Sequence, residues 1–70
     1  MKMVISNKVQ EFRARQKITQ EELGQAVGVT RQTIIAIEKG HYTPSVLLAL
    51  KLSRQFRTSV DKIFTIEEEV

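Results

Sequence analysis

Apolar residues recur three and four positions apart along almost the whole chain, the spacing of helices with one buried face. Val9 and Phe12 mark the inward side of a first helix, with Gln16 following at i+4. It is predicted to start after Ser6 or Asn7, both good N-caps, and to end near Lys17. Thr19-Gln20-Glu21-Glu22 reads as a capping box that opens a second helix. Leu23, Ala26 and Val27 are its expected inward residues, and Gly28 stands where a helix ends with positive φ. Thr30 caps a third helix with Ile34 and Ile37 inward, and Gly40 closes it. Pro44 precedes Ser45, the cap of a fourth helix running to about Phe56 or Arg57. Ser59 caps a short fifth helix from Val60 to about Phe64.

The two ends break this pattern. Ile5, Thr65, Ile66 and Val70 are β-branched and flank the helical region. They admit two readings, a two-stranded ribbon packed on the helices and frayed termini.

Residues 20–39, QEELGQAVGVTRQTIIAIEK, form a helix, a short turn containing Gly, and a second helix. This is the layout of the DNA-binding helix-turn-helix. Gly24 is small where the second helix crosses the first, Gly28 permits the reversal, and Val29 plugs the corner. Ile34 and Ile37 pin the recognition helix to the body. Arg31, Gln32, Thr33, Ile35, Ala36 and Lys39 are left for the other face.

Composition narrows the picture. Seventy residues make one domain at most, here 1–70, with a modest core that needs well-packed helices or self-association to hold it. With no Cys and one His, neither disulfides nor a zinc site is available, and no metal or cofactor is expected. A Cys nucleophile, a Gly-rich phosphate loop and metal-ligand spacing are all missing, which argues against an enzyme. No apolar run reaches the roughly 20 residues of a membrane span, and the N-terminal apolar run is too short for a signal peptide, so a cytoplasmic location is expected. The net charge of +3 is unevenly spread: Lys2, Lys8, Arg13, Arg15 and Lys17 oppose Glu11 alone in residues 1–17, while Glu67, Glu68 and Glu69 end the chain. A basic body with an acidic end suits a nucleic-acid partner.

The Gly-Val turn, the string RQTIIAIEKGHYTPS and the closing Ser59-Val60-Asp61-Lys62-Ile63-Phe64 resemble the Cro and phage-repressor helix-turn-helix family, also called the xenobiotic-response-element family, over roughly residues 8–64. The resemblance implies an all-α, five-helix lambda-repressor-like domain that regulates transcription. One departure is Gly24, where the family usually has Ala. A helical Gly there costs up to about 1 kcal/mol. By resemblance Gln20 is a phosphate contact at a helix N-terminus, and Lys39, His41 and Tyr42 lie beyond the recognition helix, where the family places backbone contacts; His41 can instead be solvated, and the Tyr42 ring can pack under the loop. Thr30 joins the phosphate set. The resemblance also implies an internal ion pair between Arg13 and Glu38. Base contact falls to Arg31, whose fork suits guanine, to Gln32, which suits adenine, to Thr33, which can touch a thymine methyl or else bond a phosphate, and to Ile35, which can touch a thymine methyl.

The fourth helix carries more apolar residues than one face can bury. Leu47 and Leu48, with Val60, Ile63 and Phe64, are therefore the expected surface of a homodimer on an inverted-repeat operator of double-stranded DNA. Two rival classes remain at this point: an antitoxin that binds both DNA and a toxin protein, and a protein-interaction module that has lost DNA binding.

Overall fold

The computed structural model describes residues 2–69, the side chain of Glu69 excepted. The order is β1 (Lys2–Asn7), α1 (Val9–Gln16), α2 (Gln20–Val27), α3 (Arg31–Glu38), α4 (Val46–Phe56), α5 (Val60–Ile63) and β2 (Phe64–Glu69). Of the two readings of the termini, the ribbon is the one adopted. β1 and β2 pair antiparallel with Ile5 opposite Ile66 and Asn7 opposite Phe64. The Lys8 amide extends the ladder by donating to the Ile63 carbonyl at 2.8 Å. The ribbon thus grows out of the junction of α1 and α5, which anchors a pairing that would be marginal alone. Phe64, expected at the end of the fifth helix, already belongs to β2.

The first helix begins at Val9, one residue beyond the later of the two expected starts. Its N-cap position is Lys8, whose side chain makes no capping bond. Asn7 does that work from the end of β1: its Oδ1 accepts from the Val9 amide at 3.1 Å. Its Nδ2 donates to the Ile37 carbonyl at 2.9 Å, tying the ribbon to α3. Thr19, Thr30 and Ser45 cap α2, α3 and α4 through their hydroxyls. Ser59 occupies the N-cap of α5 without a capping bond. Its hydroxyl, and then the backbone amide of Asp61, hold the Asp61 carboxyl below the usual carboxylate range.

Val9, Leu23, Val27, Ile34, Ile37, Leu48, Leu52, Phe56 and Ile63 form the core, with Phe12, Ile18, Val29 and Phe64 packed against it. Phe12 stacks on Phe56 with ring centroids 5.4 Å apart. Several expected positions differ. Ala26 is exposed, because the buried stripe of α2 runs through Leu23, Gly24 and Val27 and the next residue along a helix is turned by about 100°. Gln16 is exposed, and it exchanges hydrogen bonds with the Gln55 carbonyl (2.8 Å) and side-chain amide (3.1 Å), joining α1 to α4. Leu48 and Ile63 are core residues, 6% and 1% exposed, and are not available to a partner. The stripe Leu48, Leu52, Phe56 is the face that α4 turns inward, and α5 closes over the same core with Ile63. Leu47 is exposed, while Val60 and Phe64 are half-buried. No helix among the described residues is long and apolar enough to cross a membrane.

Candidate nucleic-acid interface

The interface is built on α2, the turn and α3. The capping box at the start of α2 is complete: the Glu22 amide donates to the Thr19 hydroxyl at 3.0 Å, and the Thr19 amide donates to the Glu22 carboxylate at 2.8 Å. At its end Gly28 takes φ +80°, open to glycine without strain, and the Val29 amide donates back to the Gly24 carbonyl at 2.8 Å. Gly24 is confined by this turn rather than by a crossing helix. A Cβ there would lie 2.7 Å from the Val29 carbonyl oxygen and 3.2 Å from the Thr30 carbonyl carbon.

Thr30 then opens α3. Its hydroxyl accepts from the Thr33 amide at 3.3 Å and lies 3.2 Å from the Thr33 hydroxyl. Ile34 and Ile37, buried to within 1%, fix which way the helix faces. Arg31 and Gln32 project into solvent from its first turn, and Arg31 forms no ion pair among the described residues. No acid stands in that first turn, so the positive end of the helix dipole is uncompensated. Thr33, Ile35 and Ala36 are half-buried, so the open face of α3 is narrower than the sequence suggests.

Beyond α3 the chain reverses through Gly40 at φ +77°. The Gly40 amide donates to Ile37 and the His41 amide to Ala36, both at 2.9 Å, which closes the helix as a Schellman motif. Lys39, His41 and Tyr42 emerge exposed from this closure. Tyr42 remains 47% exposed, its ring lining a shallow depression with Val29, Leu47 and Lys51.

Behind the exposed face lies a polar cluster. Arg13 Nε donates to Glu38 Oε2 at 2.8 Å, and Arg13 Nη2 lies 3.4 Å from Oε1. The side chains are 17% and 6% exposed. Arg13 Nη1 also donates to the Ile18 carbonyl at 3.0 Å. Gln20 Nε2 donates to Glu38 Oε1 at 3.0 Å, a contact that sequence reasoning missed. Gln20 therefore keeps one amide hydrogen for an outside acceptor. The Glu38 charge is balanced internally by Arg13, so it does not offset Arg31 and Lys39 on the surface.

A helix-turn-helix family model matches residues 9–63. The chain is 55% identical over 65 residues to YgzD of Bacillus subtilis, an uncharacterized HTH-type transcriptional regulator, covering 93% of this chain and 98% of that one. Its fold is similar to the P22 c2 repressor in complex with a synthetic operator, with a TM-score of 0.74 and 32% identity over 76% of this chain and 80% of the repressor chain. The controller protein C.AhdI of Aeromonas hydrophila matches with a TM-score of 0.71 at 24% identity, covering 77% and 78% of the two chains, a likeness of fold alone.

Proposed function

The chain belongs to the Cro and phage-repressor type of helix-turn-helix family, a family of DNA-binding transcriptional regulators, and from that premise we propose that it acts in the cytoplasm as a homodimeric repressor on an inverted-repeat operator. The single observation that carries this reading is the first turn of α3. Arg31 and Gln32 stand exposed there, without a side-chain partner among the described residues, at a helix N-terminus with no acid in its first turn and held outward by two buried isoleucines. The P22 c2 repressor, similar in fold and seen with an operator, supports repression.

In this reading α3 enters the major groove. Arg31 donates its fork to guanine O6 and N7, and Gln32 pairs with adenine N6 and N7. Thr33 and Ile35 present methyl groups to thymine. The remaining amide hydrogen of Gln20, the Thr30 hydroxyl, Lys39, His41 and Tyr42 hold phosphates on either side. Such contacts set register and orientation, while the base contacts supply specificity. A two-fold dimer spaces its recognition helices one DNA turn apart, about 34 Å.

Selection of bound sequences from random double-stranded DNA tests the proposal. The expected outcome is an inverted repeat whose half-sites lie one helical turn apart. Recovery of a pool no different from the input would overturn it.

A further inference from the structure

We propose that Asn7 is a positioning residue for DNA binding: it braces the closing turn of α3 and so sets where Lys39, His41 and Tyr42 meet the phosphates. This deepens the reading of the chain as a DNA binder and rests on it. Asn7 is the last residue of β1, opposite Phe64, and its side chain is partly buried. Its Oδ1 accepts from the Val9 amide at 3.1 Å, and its Nδ2 donates to the Ile37 carbonyl at 2.9 Å. An N–H on one side and a carbonyl on the other admit only this orientation of the amide. Capping alone does not call for asparagine, since aspartate and serine cap as well. Aspartate has no donor, however, and a serine hydroxyl would have to make both bonds from one oxygen. The bond to α3 is the one that asparagine adds.

The carbonyl that receives this bond is where the helix turns back. Ile37 is 1% exposed, and its carbonyl also accepts from the Gly40 amide at 2.9 Å, which occupies both lone pairs. Gly40, at φ +77°, is the residue on which the chain reverses between Lys39 and His41. Asn7, Gly40, Tyr42 and Thr43 border one gap of about 20 Å³, so the loop lies directly beside the Asn7 side chain. The next residue of α3, Glu38, is held by Arg13 of α1 at 2.8 Å. The end of α3 is therefore gripped twice, through the Glu38 side chain from α1 and through the Ile37 carbonyl from β1. The Asn7 backbone is fixed in the ribbon and its Oδ1 in the cap of α1, so the donor is aimed before DNA arrives. Side chains that meet phosphates from a preset turn lose less freedom on binding than those of a loose loop.

Two substitutions of the full chain separate the cap from the brace. Asn7→Ala removes both bonds, whereas Asn7→Ser restores the cap alone. Circular dichroism melts should place Asn7→Ser nearer to the wild type than Asn7→Ala, and the other readings are taken where each variant is fully folded. In anisotropy titrations with double-stranded DNA of random sequence, both variants should bind about tenfold more weakly than the wild type, the worth of about one hydrogen bond. The slope of log affinity against log salt should fall by about one. Combined with Lys39→Ala, Asn7→Ser should cost less than the product of the single losses; combined with Arg31→Ala, it should cost the full product. Amide hydrogen exchange of the free protein should be at least about fivefold faster at Gly40 and His41 in Asn7→Ser, with the Leu23 amide of α2 unchanged. Binding of Asn7→Ser within about twofold of the wild type, independence from Lys39→Ala, or unchanged protection at Gly40 and His41 overturns the proposal. Should Asn7→Ser fail to fold, Asn7→Asp, which also caps α1 without a donor, is held to the same exchange result. Faster exchange at both amides, in a protein whose wild type binds no DNA, overturns the DNA reading and the role in binding with it, while the brace itself stands.

Discussion

Arg31 and Lys39 are both exposed cations at the recognition helix, yet their positions give them different work. Arg31 stands in the first turn of α3, the end that the proposed binding mode turns toward base edges, whereas Lys39 follows its last turn. Arg31→Ala is expected to weaken operator binding by roughly 1–3 kcal/mol and to relax preference at one base pair. Lys39→Ala should weaken all sequences alike and lower the slope of log affinity against log salt by about one. Gel shifts on single-base operator variants, repeated at several salt concentrations, distinguish them; an unchanged base profile for Arg31→Ala would remove the direct-readout role. Gly24 has a different constraint. Alanine would add about 1 kcal/mol of helix propensity, but its Cβ would meet the Val29 carbonyl oxygen at 2.7 Å. That atom is backbone and cannot swing aside, and overpacking of this kind costs about 1–3 kcal/mol. Gly24→Ala is therefore expected to lower the urea midpoint, and a raised midpoint would show that the turn yields easily.

Among the helices, α1 and α4 end in the same way, with a non-glycine residue in the left-handed region: Lys17 at φ +57° and Arg57 at φ +55°. Each sits in a Schellman closure, with the Ile18 amide bonded to Arg13 and the Thr58 amide to Ser53. A side chain in that conformation is disfavoured by about 1–2 kcal/mol. Lys17→Gly and Arg57→Gly should each stabilise the fold by about 1 kcal/mol, read as higher thermal midpoints without change in DNA specificity. The Arg13–Glu38 pair acts between elements, joining α1 to α3, and through Gln20 to α2 as well. Removing either charge leaves its mostly buried partner uncompensated, at a cost of about 3 kcal/mol. Replacing both should cost less than the sum of the single changes. Denaturant midpoints of the four proteins in that cycle measure the coupling, and additive values would rule it out.

For the molecule as a whole, the proposed dimer makes operator spacing a mechanical quantity. Two recognition helices fixed about 34 Å apart reach half-sites on one face of the duplex. Inserting half a helical turn of DNA between the half-sites moves the second site to the opposite face. Affinity should then fall roughly a hundredfold, toward that of an isolated half-site, as the second contact ceases to be intramolecular. Titration of the two spacings by fluorescence anisotropy checks this, and equal affinities would mean that the protomers bind independently.

The helical starts were legible in the sequence because capping is local. Thr19, Thr30 and Ser45 bond amides three residues away, and the inward pair Ile34 and Ile37 follows from helical period alone. The turn signal of Gly28 was legible for the same reason. Three things lay beyond local reading. The ribbon depends on residues more than fifty positions apart meeting at the α1–α5 junction, and β-branched content by itself does not choose between pairing and fraying. Gln20's bond to Glu38 spans eighteen residues and exists only once α2 and α3 are set at their angle. The division of α4 also came from tertiary packing. The first half of α4 is apolar on nearly every side, so that stretch alone offers no period from which to choose an inward face, and Leu47 and Leu48 looked alike as partner-facing residues. The elements packed around α4 took Leu48 into the core, left Leu47 on the flank beside Tyr42, and opened the groove where Val60 and Phe64 meet Ile5.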